Sequence, residues 1–242
     1  MSVQQVLILA MTKMRSGICV AGFTTEPAPV TGLRWVRPVR EFDTLLCGDM
    51  TDGDGRLVQC NDVVELNLIS PRPDPPHVED WLVDCVHCRP KCLRRLKGEK
   101  RAQFLTKYLD QAPQDVLVRH TRSLCLVRPE QVWASLKIDG YSGKDEARIG
   151  FRLRENANCP RASSKQGVSV TDLKWRALGR TWLTEAQPRL ALKHAELLER
   201  LNAQDLYLTV GLSRSWQGQY WPLVVGVHAV PDYEAAIDLE RL

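Results

Sequence analysis

The stretch Val6-Leu7-Ile8-Leu9-Ala10-Met11-Thr12-Lys13-Met14-Arg15-Ser16-Gly17-Ile18-Cys19-Val20-Ala21-Gly22-Phe23 decides how the rest of the chain is read. Two apolar runs flank a polar segment, the pattern of two buried strands joined as a hairpin. Gly17 supplies the turn with backbone freedom that a side chain would remove. Lys13 and Arg15 leave the strand end where a sheet meets solvent. Eleven residues after Phe23 a third strand-like run, Arg34-Trp35-Val36-Arg37-Pro38-Val39, carries two more arginines around a tryptophan. Cationic and aromatic groups on neighbouring strands suit a surface that meets phosphates and bases. They equally suit a solvated sheet face with one Trp in the core.

Working outward, 242 residues are enough for one large domain or two small ones, and a 44% apolar share can bury a substantial core. No apolar run reaches the length of a membrane span, and the first residues lack a basic segment followed by a small-residue cleavage site. The expectation is therefore a cytoplasmic protein without a membrane partner. The 8 cysteines are scattered, which fits reduced thiols. The net charge of +4 is unevenly placed: residues 1–80 carry −4, residues 81–181 carry +11, and residues 182–242 carry −3. Such asymmetry is what an anion-binding surface produces, and nucleic acid is the commonest large anion.

Along the chain, 57–69 reads as a long strand or a pair of strands, and Pro71-Arg72-Pro73-Asp74-Pro75-Pro76 as a stiff connector. Residues 81–92 read as a strand up to Pro90, and 93–109 as a basic amphipathic helix. Strand patterns return at 116–118, 123–127, 131–138, 149–153 and 168–170. A second helix is read over 188–202, and strands over 205–212 and 220–230 close the chain. This is a mainly β chain with a few helices (α+β), which fits two tandem β-barrels better than a doubly wound sheet. The division is 1–80 for the first barrel, 81–115 for a basic, Cys-containing helical connector, and 116–242 for a second barrel with a helix.

The runs Ile8–Met14, Cys19–Gly22 and Arg34–Val39 resemble the N-terminal half of the bacterial dual OB-containing domain family. Ser123–Pro129, Val170–Arg176 and Leu206–Arg214 are similar to its second half. The resemblance implies two tandem OB-like barrels and a nucleic-acid-binding role within bacterial conflict or defence systems. It lends no support to the Cys-rich stretch or the basic helix between the halves.

OB barrels bind oligonucleotides by combining aromatic stacking with cationic side chains. The candidate nucleic-acid-binding residues are Lys13, Arg15, Arg34, Trp35 and Arg37 in the first half, with Lys174, Trp175, Arg176, Arg214 and Trp216 in the second. Strand alternation sends Trp35 to the face opposite Arg34, which makes it a core candidate as well. Trp216, in a loop with Gly and Ser, is the ring best placed for the surface. Cys85, His87, Cys88 and Cys92 form the metal candidate, a zinc site that needs the chain to turn sharply at Pro90. The second knuckle of a zinc ribbon is missing, so no cofactor is the leading expectation. No Walker loop, GxSxG, HExxH or dinucleotide fingerprint is present, which points away from an enzyme. A non-enzymatic binder of single-stranded DNA or RNA leads; a protein-interaction subunit of a larger complex is the alternative, and a nuclease a more distant one.

Overall fold

Strand β1 (Ser2–Lys13) is long enough to serve two neighbours. Its first half pairs with β4 (Asp62–Pro71) and its second with β2 (Ile18–Thr24), both antiparallel. A register shift between Ile8 and Ala10 bends the strand between them, as a bulge does. Strand β3 (Trp35–Val39) pairs with β2 on one side and, in parallel, with β5 (Asp80–Val83) on the other. The order β1-β2-β3-β5-β4, closed by the β1–β4 pairing, is a five-stranded barrel of the OB type. The computed structural model describes residues 2–14, 17–28, 31–42, 44–141, 143–154 and 159–237.

Side-chain alternation sorts the first barrel into two faces. Val6, Ile8, Met11, Val20 and Val36 fill its interior together with Met50, Val64 and Leu66. Leu7, Leu9, Ala10, Ala21, Phe23 and Trp35 point outward, yet are buried against Leu124, Leu126, Tyr207 and Val225 of the second half. Each such aliphatic side chain removed from water contributes about 1.5–3 kcal/mol.

Strand β6 (Lys91–Arg95) extends the barrel by pairing with β4, and helix α1 (Gly98–Lys107) follows. The helix read over 93–109 therefore starts later. Leu93–Arg95 is drawn into the sheet, where Arg95 Nε donates to Asp62 Oδ1 at 2.8 Å. Residues 81–92 are likewise not one strand: the Asp84 carboxylate accepts from the Val86 and His87 amides and turns the chain after β5. Val116 and Leu117 lie in a one-turn helix, α2 (Gln114–Leu117), rather than a strand.

The second half has two sheets around one core. Strands β7 (Leu124–Val127), β12 (Asp205–Leu212) and β13 (Pro222–Val230) form one, in the order β13-β12-β7. Strands β8 (Gln131–Ile138), β9 (Asp145–Arg152), β10 (Val168–Ser169) and β11 (Arg189–Leu192) form the other, in the order β10-β9-β8-β11. The pairings β7–β12, β12–β13 and β8–β9 repeat β1–β4, β4–β5 and β2–β3 of the first barrel. A parallel bridge from Val170 to Val224 stands where β3 meets β5. Among the described residues β7 and β8 are not hydrogen-bonded, so this OB-like unit is open at that seam.

Helix α3 (Leu173–Thr181) covers the second core with Trp175, and α4 (His194–Leu201) adds Leu197 and Leu201. The helix read over 188–202 is split, because Arg189–Leu192 pairs with β8 instead. The α3 helix escaped the sequence reading, although Asp172 is a strong N-cap: its Oδ1 accepts from the Lys174 and Trp175 amides. Its Oδ2 accepts from the Val227 amide at 2.7 Å, tying the helix start to β13. Among the described residues no helix is long and apolar enough to cross a membrane.

Candidate nucleic-acid interface

Towards one end of the outer face of β1, β2 and β3 a recess remains between the barrel and the second half. Ala10 and Thr12, Cys19 and Ala21, and Arg37 and Val39 form its floor, and Gly211, Leu223 and Val225 face them across the gap. Most of these side chains are small, so the two halves stand apart here and enclose a cleft of about 880 Å³. It lies between the β1–β2 and β4–β5 connections, the end at which OB barrels take oligonucleotides. Gly17, at the foot of the first connection, is needed for close approach: a Cβ there would overlap the Leu45 carbonyl.

Four of the residues singled out in the sequence converge on this cleft: Lys13, Arg37, Arg176 and Arg214. Arg40 and Arg72 join them, giving six basic side chains along the lining with Asp74 and Asp80, and Arg40 also pairs with Asp49 at 3.6 Å. The register of β3 on β5 places Arg37 directly beside Asp80. Arg37 Nε and Nη2 both lie 2.6 Å from Asp80 Oδ1, while Arg214 Nη2 reaches Asp80 Oδ2 at 3.0 Å. One carboxylate, 2% exposed, thus holds two guanidiniums in place, and Arg214 also meets Asp74 at 3.4 Å. On the other wall Arg176 and Arg180 share Asp145, with Arg176 Nη2 at 2.9 Å and Arg180 Nη1 at 3.4 Å.

Behind the cleft His77 donates from Nε2 to the Ser213 carbonyl at 3.2 Å, which fastens the β4–β5 connection to the second half. Burial, with Arg37 and Arg214 nearby, pushes its pKa down to about 3, so it stays neutral and adds no charge. Glu79 is hydrogen-bonded by the Ser123 hydroxyl across the same junction, and burial raises its pKa. Among the described residues no aromatic side chain lines the cleft.

The other predicted residues lie elsewhere. Trp35 is 4% exposed and Trp175 0%, so neither ring is open to a base; Trp35 is sealed by the second half and Trp175 by α3's own core. Lys174 pairs with Asp232 at 3.1 Å and sits over the Tyr233 ring, 4.3 Å from its centroid. Arg34 is at the far end of the β1–β3 face, bonded to the Thr25 carbonyl and 3.6 Å from Glu26. Trp216 is 58% exposed on a turn beyond the cleft rim. Arg15 lies outside the described residues. Arg40 and Arg72 were missed in the sequence. Arg72 sits in the proline-rich connector, and its cation gains meaning only once β4 and β5 are known to flank β1 and β3.

The zinc candidate does not assemble. Cys85 and Cys92 pack against the first core, His87 Nδ1 lies 3.2 Å from Asp84, and Cys88 is exposed. The Asp84 carboxylate holds the start of the segment that joins β5 to β6, by accepting from the Val86 and His87 amides. Burial pushes the Cys85 thiol up to about 12 and raises Cys92. No group of three His, Cys, Asp or Glu among the described residues is placed to hold a metal ion.

Neither curated proteins nor solved structures give a match to this chain. Its barrel order, its second OB-like unit and the cleft between them lie almost wholly within residues 4–227, the span matched by the sequence model of the dual OB-containing domain, and the chain belongs to that family.

Proposed function

We propose that the chain is a non-catalytic nucleic-acid-binding protein, and that the cleft between its two OB-like units takes single-stranded DNA or RNA in preference to duplex. The observation that carries this reading is the convergence of six basic side chains, from both units, at the loop end of an OB barrel's outer face. A concave site between two units suits one flexible backbone, and among the described residues no helix lines it for presentation to a duplex groove beyond Arg176 of α3. With no aromatic ring among the described residues along the cleft, affinity there comes from phosphate contacts rather than from stacking. The setting that accompanies this reading is the one implied by the family resemblance, a bacterial defence or conflict system.

Fluorescence anisotropy with labelled single-stranded DNA, duplex DNA and RNA over a salt series tests it. Each phosphate held by a cleft cation contributes about −0.7 to the slope of log affinity on log salt for a single strand, so three to four such contacts give about −2 to −3. Micromolar or tighter binding at low salt with such a slope supports the reading. No binding to any of the three at low salt rules it out and leaves recognition of another protein as the role of the fold.

A further inference from the structure

At the opposite end of the β1–β2–β3 outer face is a second hollow, of about 180 Å³, separate from the cleft. That is the scale of a single ring: an apolar protein cavity of about 150 Å³ accepts benzene. Its walls are Phe23 of β2 and Phe104 and Tyr108, in and just after α1. Phe104 and Tyr108 stand 4.5 Å apart, and Phe23 lies 6.0 and 5.8 Å from them. Both α1 rings are only partly buried, although Trp35 backs Phe23 at 4.2 Å and fixes the inner wall.

The rim is cationic. Arg34 and Arg94 line it, and no carboxylate does among the described residues, although Arg34 meets Glu26 at 3.6 Å outside the hollow. The Arg34 guanidinium is 5.5 Å and the Lys107 ammonium 5.2 Å from the Tyr108 ring centroid. Arg94 is exposed and pairs with no carboxylate among the described residues. Partly open rings flanked by cations are the two halves of nucleotide recognition, a stacking face and a phosphate anchor. An aromatic side chain of a protein would fill the same volume, but it brings no anion for Arg94 and no polar edge for Gln5 and Thr25 at the rim.

We propose that this hollow holds one nucleobase, stacked on Phe104 and Tyr108, with its adjoining phosphate on Arg94 and Arg34. The assignment rests on the chain binding nucleic acid, but not on the cleft being where it does so. Its test is anisotropy with a short labelled single strand, together with photo-crosslinking of the same strand carrying 5-bromouracil. Tyr108→Ala is expected to weaken binding about 5- to 150-fold, the loss of one stacked base. Arg94→Ala, at an exposed position that the fold does not need, is expected to weaken binding and to make the salt slope shallower by about 0.7. Crosslinks are expected on Phe104 or Tyr108. A wild-type protein that binds the strand, with both variants unchanged and crosslinks confined to the cleft or Trp216, overturns this assignment and leaves the nucleic-acid reading standing. Absence of strand binding by the wild type overturns both.

Discussion

The two ends of one sheet face are used in opposite ways. Along β1, β2 and β3 the outward positions begin with Leu7, Phe23 and Trp35 and finish with Thr12, Cys19 and Arg37. The large apolar set sits in a core shared with β7, β12, β13 and α1. The small and charged set is left open as the wall of a cleft. The difference teaches that in this dual OB chain the second unit does more than repeat the first. It covers most of the surface that a lone OB barrel would offer to a ligand, and it supplies the opposite wall of what remains.

The joint between the units is built from backbone as much as from side chains. The bend in β1 leaves the Leu9 carbonyl facing the second half, where the Thr209 hydroxyl donates to it at 3.2 Å. Thr209 also meets His228 Nε2 at 2.9 Å, and burial holds that imidazole well below its ordinary pKa and so neutral. A Cβ at Gly226 would overlap the same Leu9 carbonyl, so glycine is what lets β13 lie against β1. Helix α1 locks the joint from the side: Arg101 donates to Asn61 Oδ1 at 2.9 Å and to the Ala229 carbonyl at 2.6 Å.

The largest effect should come from the covered end. Trp35→Ala removes the ring that fills this shared core and is expected to cost about 3–5 kcal/mol in urea unfolding. Because Trp35 does not line the cleft, the folded fraction should keep the wild-type cleft; a stable variant with weakened binding would mean that the two ends of the face are not distinct. Gly226→Ala comes next, at about 1–3 kcal/mol, since the new methyl pushes β13 away from β1. A cost near zero would show that the two units are not pressed together there.

A smaller, pH-dependent effect belongs to Asp172, which joins α3 to β13. Burial raises its pKa to about 6, against the lowering effect of the three amides it accepts from. Its folded pKa lies above the unfolded value, so its contribution to stability is full at low pH and is lost as pH rises through about 6. The advantage of wild type over Asp172→Asn should therefore be larger near pH 4.5 than near pH 7, measured as urea midpoints at about those two values. An advantage that grows with pH would contradict the assignment. The smallest stability effect is expected at the open end: Arg214→Ala removes a half-exposed ion pair, a change of about 0–1 kcal/mol in the same assay.

How much of this could be read from the sequence follows from how local each signal is. The Val6–Phe23 hairpin and the strands at 131–138 and 205–212 declare themselves through uninterrupted or alternating apolar residues, and they form where they are read. The split of 93–109 and 188–202 into strand and helix did not show, because the strand parts form only by adding to an edge elsewhere, on β4 and β8. The cleft was half legible. Lys13, Arg37, Arg176 and Arg214 stood out as cations near strand ends, but which of them face one another is set by pairings between residues far apart in the chain. Trp35 and Trp175 show the opposite limit: a tryptophan between basic residues looks like a stacking platform until the unit that covers it is in place.

The most direct test of the central claim is the salt dependence of single-strand binding by the double variant Arg72→Ala/Arg214→Ala, set beside wild type. Both positions are exposed on the cleft rim and lie on opposite units. The expected result is weaker binding and a slope shallower by about 1.4, two phosphate contacts at about 0.7 each. Binding with an unchanged slope would contradict the account and would place the nucleic acid away from the cleft.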